Sequence, residues 1–328
     1  MNALTLGIID PFHSTIMQVI RDALPRGWRM SVTAGPDNEA RAEALRNADL
    51  AFVMAAKMPA DLIASASSLR FIQKLGAGID NIDTDVCAAR GIGVARLQAG
   101  NAIPVAEHTL LLMLAACRRL PYLDRETRKG GWDKEAARGV SRQIGGRTVG
   151  IIGLGAIGRE VAKRLAGFEA QILYYDPYRA PAEVEESLGA NYRPLDELLA
   201  EADIITLHLP LMKETAGLID ARRIGMMKRD AILINCARGG LVDEAALHQA
   251  LMEERIFAAG LDAFSSEPPK DSPLLALDQV VVTPHTAGGT LDNFKPIVSR
   301  AFTNAQTYLA GGALPPGDLV VDPRRRIA

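Results

Sequence analysis

The chain has 328 residues, too many for one typical hydrophobic core, which predicts two domains. Lys and Arg number 37 against 39 Asp and Glu, and the formal net charge of −2 argues against nucleic acid or an anionic membrane as a partner. The three cysteines are widely spaced and form no CxxC pair, so we expect neither a disulfide framework nor a bound metal.

The N-terminal segment MNALTLGIIDPFHS has neither the basic start nor the long apolar stretch of a secretory signal. The most apolar run of the chain, TLLLMLAAC at 109–117, is far shorter than the roughly 20 residues that span a bilayer. We therefore expect a soluble, cytoplasmic protein.

Short apolar runs alternate with helical patterns along the whole chain, which is typical of parallel βαβ units. In the first hundred residues the predicted strands lie at 3–9, 28–33, 50–54, 71–75 and 92–96. A second series of predicted strands lies at 148–152, 171–176, 203–209, 231–236, 257–264 and 279–284. Two doubly wound parallel sheets accommodate these strands better than one sheet does.

Between the two series lies the apolar segment NAIPVAEHTLLLMLAACRRL at 101–120. This segment predicts a helix with Pro104 in its first turn and Arg118 and Arg119 in its last. Because nearly every face of the helix is apolar, we expect it to be buried all round. We expect it to lead into the second domain and to take part in a homodimer contact.

The segment at 150–177 contains the pattern GxGxxG, formed by Gly153, Gly155 and Gly158, directly after the predicted strand TVGII. Apolar residues then recur every four positions over 157–165, which predicts an amphipathic helix. In this setting Gly153 permits a tight turn, Gly155 lets the backbone approach a pyrophosphate, and Gly158 lets the helix pack closely. The helix N-terminus attracts the phosphates of a dinucleotide.

Asp176 lies at the end of the next predicted strand, 18 residues after Gly158. A carboxylate at this place accepts hydrogen bonds from the ribose hydroxyls and repels a 2′-phosphate, so NAD is favoured over NADP. Arg179 lies close enough to weaken that preference. The alternative interpretation is a glycine-rich turn followed by an ordinary surface aspartate.

Charged side chains follow three consecutive predicted strands of the second series. Arg238 follows the strand at 231–236, Asp262 and Glu267 belong to the segment FAAGLDAFSSEPP, and His285 follows the strand at 279–284. Open α/β sheets bind ligands at these carboxyl ends. A guanidinium, a carboxylate and an imidazole together suit hydride transfer at a 2-oxo acid, although each alone is more typical of an ion pair, a loop or a turn.

Seven segments resemble, in the same order along the chain, those of the D-isomer-specific 2-hydroxyacid dehydrogenases. This family includes phosphoglycerate dehydrogenase, glyoxylate/hydroxypyruvate reductase and D-lactate dehydrogenase. The segments are KLGAGIDNID (74–83), NAIPVAEHT (101–109), GIIGLGAIG (150–158), LHLP (207–210), NCARGGLVDEAAL (235–247), GLDAFSSEPP (260–269) and TPHTAGGT (283–290).

The resemblance implies an α/β fold with two doubly wound parallel-sheet domains. A Rossmann dinucleotide-binding domain is expected at 101–286, inserted into a flavodoxin-like substrate-binding domain at 1–100 and 287–328. The family's helix that returns to the substrate domain is expected around 291–309.

The resemblance also implies roles for the charged residues. Arg238 binds the substrate, and His285, paired with Glu267, is the general acid/base. Asp262 is expected to meet the nicotinamide amide. The backbone amides of Gly76, Ala77 and Gly78 are expected to hold the substrate carboxylate. The other expected cofactor contacts are Ala156, Ile157, His208, Pro210 and Ala237, with a positional role for His208.

Two positions bear on the substrate. Glu267 stands where formate dehydrogenases carry Gln, which disfavours formate oxidation. The segment FVMAAKMPADL at 52–62 offers Lys57 to the substrate where phosphoglycerate dehydrogenases carry arginines. This difference favours an unphosphorylated acid such as glyoxylate or hydroxypyruvate. D-3-phosphoglycerate dehydrogenase and a non-catalytic, NAD-sensing corepressor remain the alternatives.

Overall fold

The computed structural model describes residues 3–326. The strands in this part of the chain are β1 (Thr5–Ile8), β2 (Arg29–Val32), β3 (Leu50–Val53), β4 (Phe71–Lys74), β5 (Gly93–Ala95), β6 (Thr148–Ile152), β7 (Gln171–Tyr175), β8 (Ala190–Tyr192), β9 (Ile204–Leu207), β10 (Ile232–Asn235), β11 (Ala258–Leu261), β12 (Val280–Val282) and β13 (Leu319–Val321).

The α-helices are α1 (Ser14–Ala23), α2 (Asn38–Leu45), α3 (Ala60–Ser65), α4 (Thr84–Ala89), α5 (Ala102–Cys117), α6 (Leu120–Arg128), α7 (Lys134–Gly139), α8 (Ala156–Leu165), α9 (Ala182–Leu188), α10 (Leu195–Glu201), α11 (Ala221–Met226), α12 (Glu244–Met252) and α13 (Leu291–Leu309). Short 3₁₀ turns lie at Ala166–Phe168, Gly239–Leu241, Pro273–Ala276 and Pro323–Arg326. Within residues 3–326, no helix combines the length and the apolar character that a membrane crossing requires.

The chain divides into two compact units, one formed by residues 1–101 with 289–328 and the other by residues 102–288. The sequence analysis places the corresponding boundaries after residues 100 and 286. Residues 1, 2, 327 and 328 of the predicted substrate-binding domain lie outside the described part of the chain.

The first unit contains a six-stranded sheet with the order β13-β5-β4-β3-β1-β2. Strands β1 to β5 are parallel, and their order 2-1-3-4-5 is that of flavodoxin-like folds. The predicted flavodoxin-like sheet is therefore confirmed. Strand β13, which pairs antiparallel with β5 at the edge of the sheet, is not among the strands predicted from the sequence.

Aromatic side chains of α13 pack against this sheet and form much of its core. The ring of Phe302 lies 4.9 Å from that of Phe52 on β3, and Tyr308 stacks on Phe71 of β4 at 4.5 Å between ring centroids. Gly93 on β5 makes room for Tyr308, because a Cβ there would lie 2.3 Å from its hydroxyl oxygen. These contacts explain why the last long helix belongs to the first unit.

The second unit contains a seven-stranded sheet with the order β12-β11-β10-β9-β6-β7-β8. All its described pairings are parallel, and the direction of winding reverses between β6 and β9, as in Rossmann folds. The predicted Rossmann sheet is confirmed, although the sequence analysis missed the short strand β8. Ligands of such sheets bind at the carboxyl ends of the strands beside this reversal.

Helix α5 begins the second unit and differs from its prediction in two respects. It ends at Cys117, before Arg118 and Arg119, and Arg119 takes a left-handed backbone conformation with φ of 51°. Its apolar side chains are not buried all round, because Ile103, Leu111 and Leu114 are 55%, 50% and 40% exposed. The expectation of complete burial is therefore wrong for the single chain.

Candidate active site

The glycine turn after β6 needs glycine at two places. Gly153 has φ of +99°, and a Cβ there would lie 2.8 Å from the carbonyl carbon of His208. A Cβ at Gly158 would lie 2.1 Å from the carbonyl oxygen of Gly153. The turn therefore packs closely against the end of β9 and the first turn of α8, as the pattern predicts.

Gly155 differs from both, because a Cβ there would meet nothing within 4 Å. It lies directly before α8 with φ of −72°, and no side chain caps the amides of this helix end. Ala156 beside it is exposed, and Ile157 is partly buried. Open space in front of uncapped amides fits the pyrophosphate of a dinucleotide.

Asp176 follows β7 directly and is fixed against the glycine turn. Its Oδ2 accepts a hydrogen bond from the amide of Leu154 at 2.9 Å, and its Oδ1 accepts one from the amide of Tyr178 at 3.0 Å. Each carboxylate oxygen retains a second lone pair, which fits the acceptance of hydrogen bonds from ribose hydroxyls.

His208 joins the ends of β9 and β6, where the winding of the sheet reverses. Its amide donates to the carbonyl of Ile152 at 2.7 Å, and its Nε2 lies 3.0 Å from Oγ1 of Thr206. Burial lowers the pKa of His208 to about 3, so the ring is neutral at physiological pH. Pro210 is exposed, and its carbonyl accepts a hydrogen bond from Oγ1 of Thr215 at 2.7 Å.

His285 and Glu267 form a close pair in loops that follow β12 and β11. Nδ1 of His285 lies 2.9 Å from both carboxylate oxygens of Glu267, and Oε1 also accepts the amide of Phe264 at 3.0 Å. Both side chains are well exposed, His285 at 41% and Glu267 at 39%. A carboxylate on Nδ1 orients the ring and leaves Nε2 to meet a ligand.

Arg238 lies in extended backbone between β10 and a 3₁₀ turn. The buried side chain of Asn235 shapes this segment, because Nδ2 donates to the carbonyl of Arg238 at 2.8 Å and Oδ1 accepts the amide of Ala237 at 3.0 Å. A Cβ at Gly239 would lie 1.8 Å from the carbonyl carbon of Phe264. Glycine therefore lets the Arg238 segment pack against the loop that carries Glu267.

Asp262 is completely buried and holds the loop that carries His285. Its Oδ1 accepts hydrogen bonds from Oγ1 of Thr283 at 2.6 Å and the amide of Thr286 at 2.9 Å, and Oδ2 accepts the amide of Ala287 at 2.9 Å. Within this loop His285 has φ of +52°, a conformation that non-glycine residues adopt only at a cost. The hydrogen bonds from the loop to Asp262 are observed, whereas the contact of Asp262 with the nicotinamide stays a prediction.

His108 reaches the same loop from α5. Its Nε2 lies 2.9 Å from Oγ1 of Thr283 and 3.5 Å from Oδ1 of Asp262. This contact of His108 is not predictable from the sequence, because Asp262 and Thr283 lie more than 150 positions away along the chain. The short polar run Glu107–Thr109 inside a largely apolar helix was the one local signal that could have indicated this contact.

The predicted substrate contacts Lys57, Gly76, Ala77 and Gly78 belong to the first unit. Lys57 is exposed in the loop after β3, and the three residues after β4 are partly buried. The carbonyl of Gly76 accepts the amide of Leu97 at 2.9 Å. Their contacts with a substrate stay predictions.

The buried carboxylate of Asp10 accepts hydrogen bonds from the backbone amides that precede Lys57. Its Oδ2 accepts the amide of Met54 at 2.6 Å, and its Oδ1 accepts those of Ala55 and Ala56 at 2.7 Å each. These groups lie between the ends of β1 and β3, where the winding of the first sheet reverses. Asp10 is not among the residues predicted from the sequence, because its local segment IDP carries no motif.

Within the second unit, the glycine turn follows β6, the Arg238 segment follows β10, and the imidazole–carboxylate pair lies in the loops that follow β11 and β12. Such a set can orient a carboxylate-bearing ligand and exchange a proton with it. Among residues 3–326, no three His, Cys, Asp or Glu side chains are grouped as metal ligands would be.

Comparisons with known proteins identify the family to which the chain belongs. Residues 110–287 match the family model described as D-isomer specific 2-hydroxyacid dehydrogenase, NAD binding domain. The chain is 41% identical over 285 residues to D-3-phosphoglycerate dehydrogenase of Methanocaldococcus jannaschii, covering 86% of this chain and 53% of that protein. It is 40% identical over 241 residues to hydroxypyruvate reductase of Thermotoga maritima, covering 73% of this chain and 77% of that protein.

A solved structure of D-lactate dehydrogenase from Aquifex aeolicus, in complex with NAD and lactic acid, matches with a TM-score of 0.85 and 29% identity. The match covers 97% of this chain and 99% of that one. The chain spans about half the length of the phosphoglycerate dehydrogenases it matches. On the family model and these relatives, the chain belongs to the D-isomer-specific 2-hydroxyacid dehydrogenase family.

Proposed function

We propose that the chain is an NAD-dependent D-2-hydroxyacid dehydrogenase, which transfers hydride reversibly between NAD(H) and a small 2-oxo or 2-hydroxy acid. The observation that carries this proposal is the His285–Glu267 pair, with 2.9 Å contacts, in the same unit as the uncapped glycine turn. Residues 102–288 would bind the dinucleotide, and residues 1–101 with 289–328 would serve the substrate.

A nicotinamide held in this unit would supply or accept the hydride. In the reducing direction Arg238 binds the substrate carboxylate and polarises the carbonyl beside it. His285 donates a proton from Nε2 to the carbonyl oxygen as negative charge develops there. Glu267 holds the ring by Nδ1 and stabilises its imidazolium form. In the oxidising direction the same imidazole accepts the hydroxyl proton.

The glycine turn would hold the cofactor through Gly153, Gly155, Ala156, Ile157 and Gly158. Asp176 would accept the ribose hydroxyls and make NADH the preferred cofactor over NADPH. The remaining contacts proposed for the cofactor are with His208, Pro210, Ala237 and Asp262.

For the substrate, we favour an unphosphorylated acid such as glyoxylate or hydroxypyruvate. The loop after β3 carries Lys57 and no arginine, and its amides from Met54 to Ala56 are already bonded to the carboxylate of Asp10. A phosphate dianion entering beside this carboxylate would lose hydration and gain few partners. The second candidate is D-3-phosphoglycerate dehydrogenase, favoured by the name of the Methanocaldococcus jannaschii relative.

The test is a panel of glyoxylate, hydroxypyruvate and 3-phosphohydroxypyruvate, each assayed with NADH and with NADPH on the full chain. We expect steady NADH consumption, with kcat/KM higher for an unphosphorylated acid and higher with NADH than with NADPH. A higher kcat/KM for the phosphorylated acid would favour the second candidate. NADH binding without turnover on any 2-oxo acid would contradict the enzyme and favour an NAD-sensing protein.

A further inference from the structure

Two opposite charges follow β7 within one loop. Asp176 is the first residue after this strand, and Arg179 lies three positions later. In a Rossmann fold the adenosine ribose lies at this strand end, where an acid favours NAD and a nearby arginine accommodates the 2′-phosphate of NADP. The sequence alone therefore favours NAD through Asp176 but leaves Arg179 as a partner that a 2′-phosphate could reach.

The guanidinium of Arg179 is bound by Glu185 of α9. Its Nε donates to Oε1 of Glu185 at 2.9 Å and its Nη2 donates to Oε2 at 3.1 Å, which is a bidentate contact. The same guanidinium lies 5.4 Å from the ring centroid of Tyr192, within the range of a cation–π contact. A phosphate would have to compete with both partners for Arg179.

Glu185 is itself anchored to the core of the second unit. The hydroxyl of Tyr174, a completely buried residue of β7, donates to Oε1 of Glu185 at 2.5 Å. That hydroxyl also accepts the amide of Ala180 at 3.0 Å. The hydrogen bonds from Arg179 and Tyr174 lower the pKa of Glu185 to about 2, so its negative charge is present throughout the physiological range.

We propose that Glu185 is a cofactor-specificity residue that retains Arg179 on α9 and so leaves the ribose 2′-position to Asp176. This inference rests on the proposed function in that the second unit must bind a dinucleotide. Glu185 does not contact the cofactor. It acts through Arg179, and its removal should therefore increase the affinity for NADPH more than the affinity for NADH.

The test measures dissociation constants of NADH and NADPH by ligand fluorescence, which requires no turnover. Glu185→Gln removes the charge and keeps an acceptor for Tyr174. We expect its Kd for NADPH to fall about two- to fivefold relative to its Kd for NADH, the size of one exposed charge contact. Arg179→Met alone should leave the native ratio unchanged, and adding it to Glu185→Gln should restore that ratio.

Glu183→Gln serves as the matched control, because it removes one exposed acid from the same helix. An unchanged ratio in Glu185→Gln, or an equal gain in Glu183→Gln, would overturn the proposal. A loss of NADPH affinity in Arg179→Met alone would overturn it as well, because Arg179 would then already contact the phosphate. NADH binding without turnover would contradict only the dehydrogenase activity, while absence of binding to either cofactor would overturn both proposals.

Discussion

His285 combines an acid–base partner with an unusual backbone conformation. A non-glycine residue with positive φ costs on the order of 1–3 kcal/mol, and the three hydrogen bonds that Asp262 accepts from the loop offset this cost. Such a conformation persists where the surroundings enforce it, and it often marks a functional residue. Here it directs the imidazole toward Glu267.

Replacing His285 by Ala should leave NADH binding nearly native while lowering kcat/KM on the order of 10²-fold or more, as expected on removing a general acid. Glu267→Gln should lower kcat/KM for reduction by a smaller factor, because the amide oxygen still accepts a hydrogen bond from Nδ1 but carries no charge. The measurement is kcat/KM for reduction, with NADH titrations on each variant.

His248→Ala is the control for this series, since it removes a partly buried histidine of α12 that has no proposed role. Near-native activity in His285→Ala would show that another group supplies the proton. A native kcat/KM in Glu267→Gln would contradict the role of Glu267 and leave that of His285 intact.

His208 makes stability depend on pH. Its pKa falls from the ordinary value of 6.5 to about 3 in the folded chain because of burial. Between these values the unfolded chain binds a proton that the folded chain does not, so the contribution of this site to stability falls as the pH falls. The slope is about 1.4 kcal/mol per pH unit.

His208→Gln should therefore lose less stability than the native chain when the pH is lowered from about 6 to about 4. Urea unfolding at several pH values measures the difference. Parallel stability curves for the two proteins would show that His208 is protonated in the folded chain.

At the scale of elements, the segment that leads from β6 into α8 contains two glycines, Gly158 and Gly155, whose surroundings differ. Gly158 is required by packing, because its Cβ would collide with the carbonyl oxygen of Gly153. Packing does not require glycine at position 155, because a Cβ there would meet nothing within 4 Å and the residue has φ of −72°. Its place before α8 is where the proposed pyrophosphate would lie, and a side chain there would occupy that space.

Gly158→Ala should lower the unfolding free energy by about 1–3 kcal/mol, the usual cost of overpacking. Gly155→Ala should keep the native melting temperature but weaken NADH binding, since the new methyl group occupies the space expected for the pyrophosphate. Thermal unfolding and NADH titration together distinguish the two effects.

Gly167→Ala is a neutral comparison, because a Cβ there also meets nothing within 4 Å and the residue lies beyond the end of α8. Native NADH affinity in Gly155→Ala would argue against pyrophosphate binding at this helix end. A native melting temperature in Gly158→Ala would show that the turn can relax.

At the scale of the whole molecule, the exposed apolar side chains of α5 need an explanation. Ile103, Leu111 and Leu114 lie on one face of a helix whose other side is buried in the second unit. Exposed Glu107 lies between Ile103 and Leu111 on that face. Clustered apolar surface of this kind marks an interaction site. We expect a second copy of the chain to cover it in a homodimer.

Leu111→Arg should convert this dimer to a monomer, because a charge would be placed in the apolar contact. Sedimentation velocity over a range of protein concentrations measures the change. Met252→Arg, an exposed apolar residue at the end of α12, should leave the dimer intact. A native chain that sediments as a monomer at every concentration would contradict the expectation.

The sequence by itself determined the features that depend on neighbouring residues. Strand β6 coincides with the predicted TVGII, and the glycine turn follows it, because apolar alternation and backbone freedom act over a few positions. Arg238, Glu267 and His285 could be chosen because each closely follows a predictable strand.

Only the tertiary structure decided the features that depend on distant partners. Strands β8 and β13 have three residues each and are specified by pairing with β7 and β5 rather than by their own pattern. His108 meets Thr283 across 175 positions, and α5 keeps an exposed stripe that composition alone suggested was buried. Local propensity carries no information about which distant group a side chain will meet, so these contacts followed from packing alone.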